Sequence, residues 1–227
     1  SRRRHTRLQG DWSSDVCSSD LKRGLEEVVS EVARCHPGAR VEVWAEDEAR
    51  VGLLPTSRRT WSPCWRRPVA CSRRRYQWNY VWGFVHPRSG RTEWFVTSTV
   101  SAAGTSTILQ AFAAEVGAGP EVHIVLSIDG AGWHSADEVV VPDGLHLVFQ
   151  PPYSPDVQPA ERLWPLLRES LANRDFTNID EHREVTNARC RELLGQPDIV
   201  RSRTLMHWWP SDLPARVSGI TPERAAS

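Results

Sequence analysis

The 227-residue sequence has almost no lysine, few cysteines and no long apolar run, and each shortage limits the classes of protein it can belong to. No apolar stretch reaches the roughly 18 residues that a membrane-spanning helix needs, so we expect no membrane partner. The five cysteines form no Cys-x-x-Cys pair, which argues against a disulfide scaffold and a zinc ribbon. A reduced, cytoplasmic protein is the expectation. The single lysine, Lys22, stands against 27 arginines, which indicates a GC-rich coding sequence.

The first 21 residues differ in character from the rest. They have no hydrophobic periodicity, and Ser1–Arg7 and Asp11–Leu21 resemble the translated constant parts of a sequencing-library adapter. We therefore expect residues 1–21 to be non-native and exclude them from the fold, with natural residues before Lys22 missing. The alternative is a natural disordered arm whose arginines bind nucleic acid.

The remaining chain alternates between strand and helix patterns without an internal repeat. The order predicts one α/β domain with a mixed central sheet and helices on its faces. We expect a linker helix over 22–40, the domain over 41–195 and a C-terminal tail over 196–227. The predicted strands are Val41–Ala45, Tyr80–Val85, Trp94–Val100, His123–Ile128 and Leu145–Phe149. The predicted helices begin near Leu25, Thr105, Pro159 and Thr177, the last one capped by Thr177 and Asp180.

Arginine is concentrated in one part of the chain. From Ala49 to Thr92 there are ten arginines and no acidic residue, with tryptophan and tyrosine interleaved. Arginine forks bind phosphate and aromatic rings stack on bases, so this stretch favours nucleic-acid binding. A solvated hairpin with core tryptophans is the alternative. The residues expected to contact DNA are Arg58, Arg59, Arg66, Arg67, Arg73, Arg74 and Arg75.

Three carboxylates occupy positions suited to a catalytic or metal-binding site. Asp47 follows the first predicted strand, Asp129 follows a buried strand, and Glu161 lies at the start of a predicted helix. Carboxylates gathered on one rim of a sheet supply the hard oxygen ligands that two magnesium ions need. Taken singly, Asp47 also suits an ion pair with Arg50, Asp129 a turn, and Glu161 the first turn of a helix.

Three motifs in order resemble those of the bacterial insertion-sequence transposases of the mariner superfamily. They are strand-Asp47-Glu48, then IVLSIDGAGWH, then PPYSPDVQPAERLWPLL, of which the third is the most specific. The resemblance implies an RNase H-like fold and an Asp-Asp-Glu triad that maps to Asp47, Asp129 and Glu161. Gly130 and Gln158 depart from the pattern, because asparagine is common at both positions. The resemblance covers roughly Val41 to Leu194.

The family resemblance implies an enzyme that cleaves and transfers DNA strands with two Mg²⁺ or Mn²⁺ ions. It also implies transposon ends and target DNA as partners, a homodimer in the synaptic complex, and a place at the bacterial nucleoid. His134 would orient a phosphate or a metal-bound water, or else pack at a helix start. Asp156 is interpreted as a helix cap, with catalysis as the alternative.

Three other functions stay open from the sequence. They are an inactive DNA-binding remnant, an RNase H-like nuclease that is no transposase, and a glycosidase with paired carboxylates. A helix-turn-helix that reads transposon ends precedes the catalytic domain in this family, and residues 22–40 offer a single helix. We therefore expect this chain to bind DNA without preference for the ends.

Overall fold

The computed structural model describes residues 14–66, 68–69, 73–130, 139–150 and 157–214. Its five strands are β1 (Arg40–Gly52), β2 (Trp78–His86), β3 (Arg91–Thr97), β4 (Val122–Ile128) and β5 (Leu145–Phe149). They form one sheet in the order β3-β2-β1-β4-β5. The first three strands pair antiparallel, whereas β1, β4 and β5 pair in parallel. The prediction of an α/β fold with a mixed central sheet is confirmed.

Strand β1 is longer than predicted and runs on past the acidic residues. Val43 and Ala45 are buried on one face, and the same alternation places Ala49 and Val51 in that core. Asp47 stands on this same face by the alternation, whereas the even-numbered residues stand on the other face, where Trp44 packs in a separate core. Asp47 therefore lies in the middle of a strand rather than at its end.

In the part of the chain that the structure describes, five α-helices and one short 3₁₀ helix cover the two faces of the sheet. One face packs α2 (Ala102–Val116) through an apolar cluster that includes Phe112. The other face packs α1 (Ser14–Cys35), α3 (Leu163–Arg168), α4 (Ile179–Leu194) and α5 (Pro197–Thr204). The 3₁₀ helix Ala160–Arg162 leads directly into α3. The sheet is thus covered on both sides, with the candidate carboxylates along its middle strands.

Helix α4 is capped by Asn178, one residue after the predicted cap, Thr177. Asn178 has extended backbone and its side chain accepts a hydrogen bond from the backbone N–H of Glu181. The carboxylate of Glu181 in turn accepts from the backbone N–H of Thr177, at 2.6 Å. This reciprocal arrangement is a capping box shifted by one position from Thr177 and Asp180, and it works because asparagine caps as well as threonine does.

Both segments that flank the expected domain pack against it. Helix α1 begins before Lys22, and its residues Leu25 and Val29 lie in the core. In the described part of the expected tail, Trp209 is 2% exposed and Leu213 pairs with Val41. Within the described ranges, no helix combines the length and the apolarity needed to cross a membrane.

Candidate functional site

The register between β1 and β4 brings two of the predicted carboxylates together. The parallel ladder ends with Ala45 beside Ser127, so the same register continued by two residues sets Asp47 beside Asp129. Asp129 follows the last residue of β4, where the carboxyl ends of parallel strands form a site for ligands. A Cβ atom added at Gly130 would meet no described atom within 4 Å.

Glu48 joins this pair, and sequence reasoning had not selected it. One carboxylate oxygen from each of Asp47, Glu48 and Asp129 lies within 4.8 Å of the others. Adjacent residues of a strand point to opposite faces, which is why the pattern gave no reason to group Glu48 with Asp47. The only feature of the sequence that could have indicated Glu48 is its position directly after Asp47. Both Glu48 and Asp129 are partly exposed, whereas Asp47 is 8% exposed.

Burial and neighbouring charge make Asp47 a weak acid. Its pKa is raised from 3.8 to about 7, and desolvation by burial is the largest cause. A hydrogen bond from Trp164 opposes the change, and repulsion by the carboxylates of Glu161, Glu48 and Asp129 contributes to it. Carboxylates that repel one another in this way provide an electrostatic environment suited to a cation.

Glu161 lies in the 3₁₀ helix Ala160–Arg162, outside the close group of three carboxylates. Although the residue is exposed, desolvation by the surrounding protein raises its pKa. Arg168 lowers the pKa of Glu161 and Asp129 raises it, so Glu161 stands near enough to feel both charges. The structure therefore groups Asp47 with Asp129 and sets Glu161 at the margin of the same charged region.

Two buried hydrogen bonds hold the segment that carries Glu161 against β1. Gln158 donates through Nε2 to the carbonyl oxygen of Glu46 at 2.7 Å. Trp164 donates through Nε1 to Oδ2 of Asp47 at 2.6 Å. Glutamine at position 158 thus makes a defined contact with β1. The chain changes from 3₁₀ to α-helix at Leu163, and Pro165 is tolerated there because a proline in the first turn of α3 removes no needed donor.

The structure divides the predicted DNA-binding arginines into two groups. Arg73 pairs with Asp175 at 3.0 Å, Arg75 donates to the carbonyl oxygens of Phe176 and Thr177, and Arg58 donates to the carbonyl oxygen of Pro165 at 3.2 Å. The side chains of Arg59, Arg66 and Arg74 have no ion-pair or hydrogen-bond partner among the described residues. Arg67, His134 and Asp156 lie outside the described residues.

A cavity of about 520 Å³ opens beside Glu161. Arg58, Arg162 and Arg203 lie along its wall with Glu161, and Pro165 and Leu166 contribute apolar surface. Arg162 and Arg203 were not predicted as functional: Arg162 directly follows Glu161 in the third motif, where only the carboxylate was selected, and Arg203 belongs to no motif. Glu169 also lines the cavity and pairs with Arg58 at 3.9 Å, so the wall holds three guanidinium groups and two carboxylates. The guanidinium groups can contact an anionic polymer such as a phosphate backbone.

The family model of the DDE superfamily endonucleases matches residues 42–183, which is more than half of the chain. The chain belongs to the DDE superfamily of endonucleases. The predicted resemblance to mariner-type DDE transposases, and with it the prediction of a DDE-type enzyme, is confirmed at the level of the family. A curated relative, the uncharacterized protein y4pE/y4sA of Sinorhizobium fredii (strain NBRC 101917 / NGR234), is 34% identical over 134 residues. That match covers 58% of this chain and 96% of the relative.

Among solved structures, the DDE endonuclease chain is similar to the Mos1 mariner paired-end complex with Mn. The TM-score is 0.51 at 14% identity, and the match covers 91% of this chain and 68% of that one. The chain thus spans about two thirds of the length of the Mos1 chain. At this identity the likeness concerns the fold, and it supports the RNase H-like assignment that the strand order already indicates.

Proposed function

We propose that this DDE endonuclease is the catalytic domain of an insertion-sequence transposase that cuts DNA strands and joins them to target DNA. Asp47, Asp129 and Glu161 are the proposed catalytic carboxylates. The observation that carries the proposal is the convergence of Asp47 and Asp129 at the end of the parallel ladder, with the segment of Glu161 fixed on β1. Family membership supports the same reaction class.

The carboxylate group fits a divalent cation of the magnesium type. Its oxygens are hard ligands and are close together, and repulsion among them is relieved when a cation binds. Asp47, Asp129 and Glu161 would hold two Mg²⁺ or Mn²⁺ ions, and Glu48 stands close enough to contribute a further oxygen. Bound divalent cations supply Lewis acidity, which activates an attacking oxygen and stabilises charge on the leaving oxygen.

The arginine-rich segment is the proposed DNA-binding surface. Between β1 and β2 the chain exposes Trp61, Trp65 and Tyr76, with exposed fractions of 101%, 79% and 74%. The alternative of core tryptophans holds for Trp82 of β2, which is 1% exposed, but not for these three rings. Together with Arg59 and Arg74, the rings provide phosphate contacts and stacking surfaces for DNA. A homodimer in the synaptic complex and action at the nucleoid follow from the family resemblance.

The proposal is tested by nicking of supercoiled plasmid in Mg²⁺ with the purified chain and its Asp129→Asn variant. The variant preserves shape but removes a charged ligand, so we expect nicking to be lost while the thermal melting temperature is kept or rises slightly. Asp143→Asn is the matched control, because Asp143 is exposed before β5, outside the carboxylate group. It should nick at the wild-type rate.

The possible results separate the competing functions. Wild-type nicking that survives in Asp129→Asn would exclude the carboxylate assignment. A wild-type chain that binds DNA but never nicks it would identify an inactive remnant. Nicking without joining of a 3′-hydroxyl to target DNA would identify a nuclease that is no transposase.

A further inference from the structure

Asp47, Gly83 and Trp94 form a row across three strands. Asp47 of β1 pairs with Gly83 of β2, and Gly83 pairs with Trp94 of β3. Directly paired residues of neighbouring strands face the same side of a sheet, so the carboxylate and the indole stand on one face with a glycine between them. The glycine leaves a space one side chain wide between an acidic group and an aromatic ring.

Trp164 of α3 fills this space. Its ring packs edge-on against Trp94, with the ring centroids 6.2 Å apart, and it is 3% exposed. A Cβ atom added at Gly83 would lie 3.0 Å from Cη2 of Trp164 and 3.1 Å from Cδ1 of Leu163, so only glycine allows this approach without displacement. The packing therefore sets both the position and the direction of the indole.

In that position the indole Nε1 donates to Oδ2 of Asp47 at 2.6 Å, across a sequence separation of 117 residues. Hydrogen bonds to carboxylates are short and are roughly twice as strong as neutral ones. The same segment is fixed at its other end, where Gln158 donates to the carbonyl oxygen of Glu46. The indole is thus a rigid donor, held by packing on one side and aimed at a carboxylate on the other.

We propose that Trp164 is a positioning residue of the metal centre, whose indole N–H fixes the orientation in which Asp47 meets a divalent cation. This rests on the proposed function, in which Asp47 is a metal ligand. Trp164 acts through Asp47 and contacts neither metal nor DNA. Partners that orient metal ligands commonly contribute roughly 10–100-fold to metal affinity.

The test is the affinity of the full chain for Mn²⁺ in the absence of DNA, followed from the electron paramagnetic resonance signal of free Mn²⁺. Trp164→Phe keeps an aromatic ring in the gap and removes the donor, so Mn²⁺ affinity should fall roughly 10–100-fold. Trp44→Phe is the matched control. Its Nε1 donates to Oε2 of Glu42, at 2.9 Å, in the core on the opposite face of the sheet, so loss of an indole N–H there should alter Mn²⁺ affinity less than twofold.

Nicking assays add a second measurement, the Mn²⁺ concentration needed for activity, which a purely structural role of Trp164 would leave unchanged. In Trp164→Phe the Mn²⁺ concentration for half-maximal nicking should rise by the same factor, with the dissociation constant for DNA unchanged. If Trp164→Phe does not fold, site-specific incorporation of benzothienylalanine preserves the ring shape and removes the N–H. Mn²⁺ affinity equal to wild type in either variant would overturn the positioning role.

Asp129→Asn separates this failure from failure of the proposed function. If wild type binds Mn²⁺, Asp129→Asn does not, and removal of the Trp164 donor has no effect, the metal centre stands and Trp164 has no part in it. If wild type and Asp129→Asn bind Mn²⁺ equally, or neither binds it, the metal centre itself is refuted and the role of Trp164 with it.

Discussion

Replacement of Asp47 by asparagine should change how the stability of the metal-free protein depends on pH. Burial raises the pKa of Asp47 from 3.8 to about 7. A carboxyl whose pKa is higher in the folded protein holds its proton more tightly there, so it stabilises the fold at low pH. This stabilisation is complete below about pH 4 and is lost as the pH rises through about 7. In Asp47→Asn the amide does not titrate, and its oxygen still accepts the Trp164 hydrogen bond.

The size of the effect follows from the shift. A shift of about three pKa units corresponds to about 4 kcal/mol between the fully protonated and fully ionised limits. Between pH 5.5 and pH 8 the stabilisation by protonated Asp47 decreases by about 2 kcal/mol, and little of it remains above pH 8. The free energy of unfolding of wild type should therefore drop by about 2 kcal/mol more than that of Asp47→Asn over this interval.

Urea unfolding at pH 5.5 and pH 8 in the presence of EDTA measures this difference. Other titrating groups are common to both proteins, so they cancel in the comparison to first order. Asp143→Asn should follow wild type at both values. Parallel behaviour of wild type and Asp47→Asn would refute the raised pKa. A wild type that gains stability relative to the variant with rising pH would show that a cationic partner holds Asp47 ionised instead.

The remaining predictions concern the DNA surface and the third carboxylate. Alanine at Arg59, Arg66 and Arg74 should weaken binding to all duplex sequences equally and flatten the log–log salt dependence by roughly 0.9 per lost phosphate contact; an unchanged slope in a salt titration would exclude these contacts. Competition binding should show less than a tenfold preference, about 1.4 kcal/mol, for terminal repeats over random duplex, and a larger preference would mean that the domain reads bases. Glu161→Gln should abolish nicking whereas Asp156→Asn should not, and the reverse result would exchange their roles.

Most of the site prediction came from the strand patterns in the sequence. Alternation in β1 and a buried run in β4 are local signals, and two core strands each followed by an aspartate predict neighbouring carboxylates when the strands are parallel. The strand ran further than predicted because Ala49 and Val51 continue the alternation beyond the acids. We ended the predicted strand before the acidic residues, because charged residues in the middle of a strand are costly unless a ligand compensates them.

Contacts that depend on tertiary packing could not be predicted from the sequence. The hydrogen bond between Trp164 and Asp47 exists because Gly83 lets α3 approach the sheet, and no local pattern encodes that approach. Charge clustering likewise did not reveal that Arg73 and Arg75 contact the segment before α4. Sequence patterns predict which residues are suited to a function, whereas tertiary contacts decide which of them are already engaged within the protein.

The most direct test of the proposed metal centre is an anomalous difference map from a crystal of the chain soaked in Mn²⁺. We expect manganese within coordination distance of the carboxylates of Asp47 and Asp129, with Glu161 turned toward it and the Trp164 indole still bonded to Asp47. Manganese bound only elsewhere, or no peak at a concentration that supports nicking, would refute a metal centre at these carboxylates.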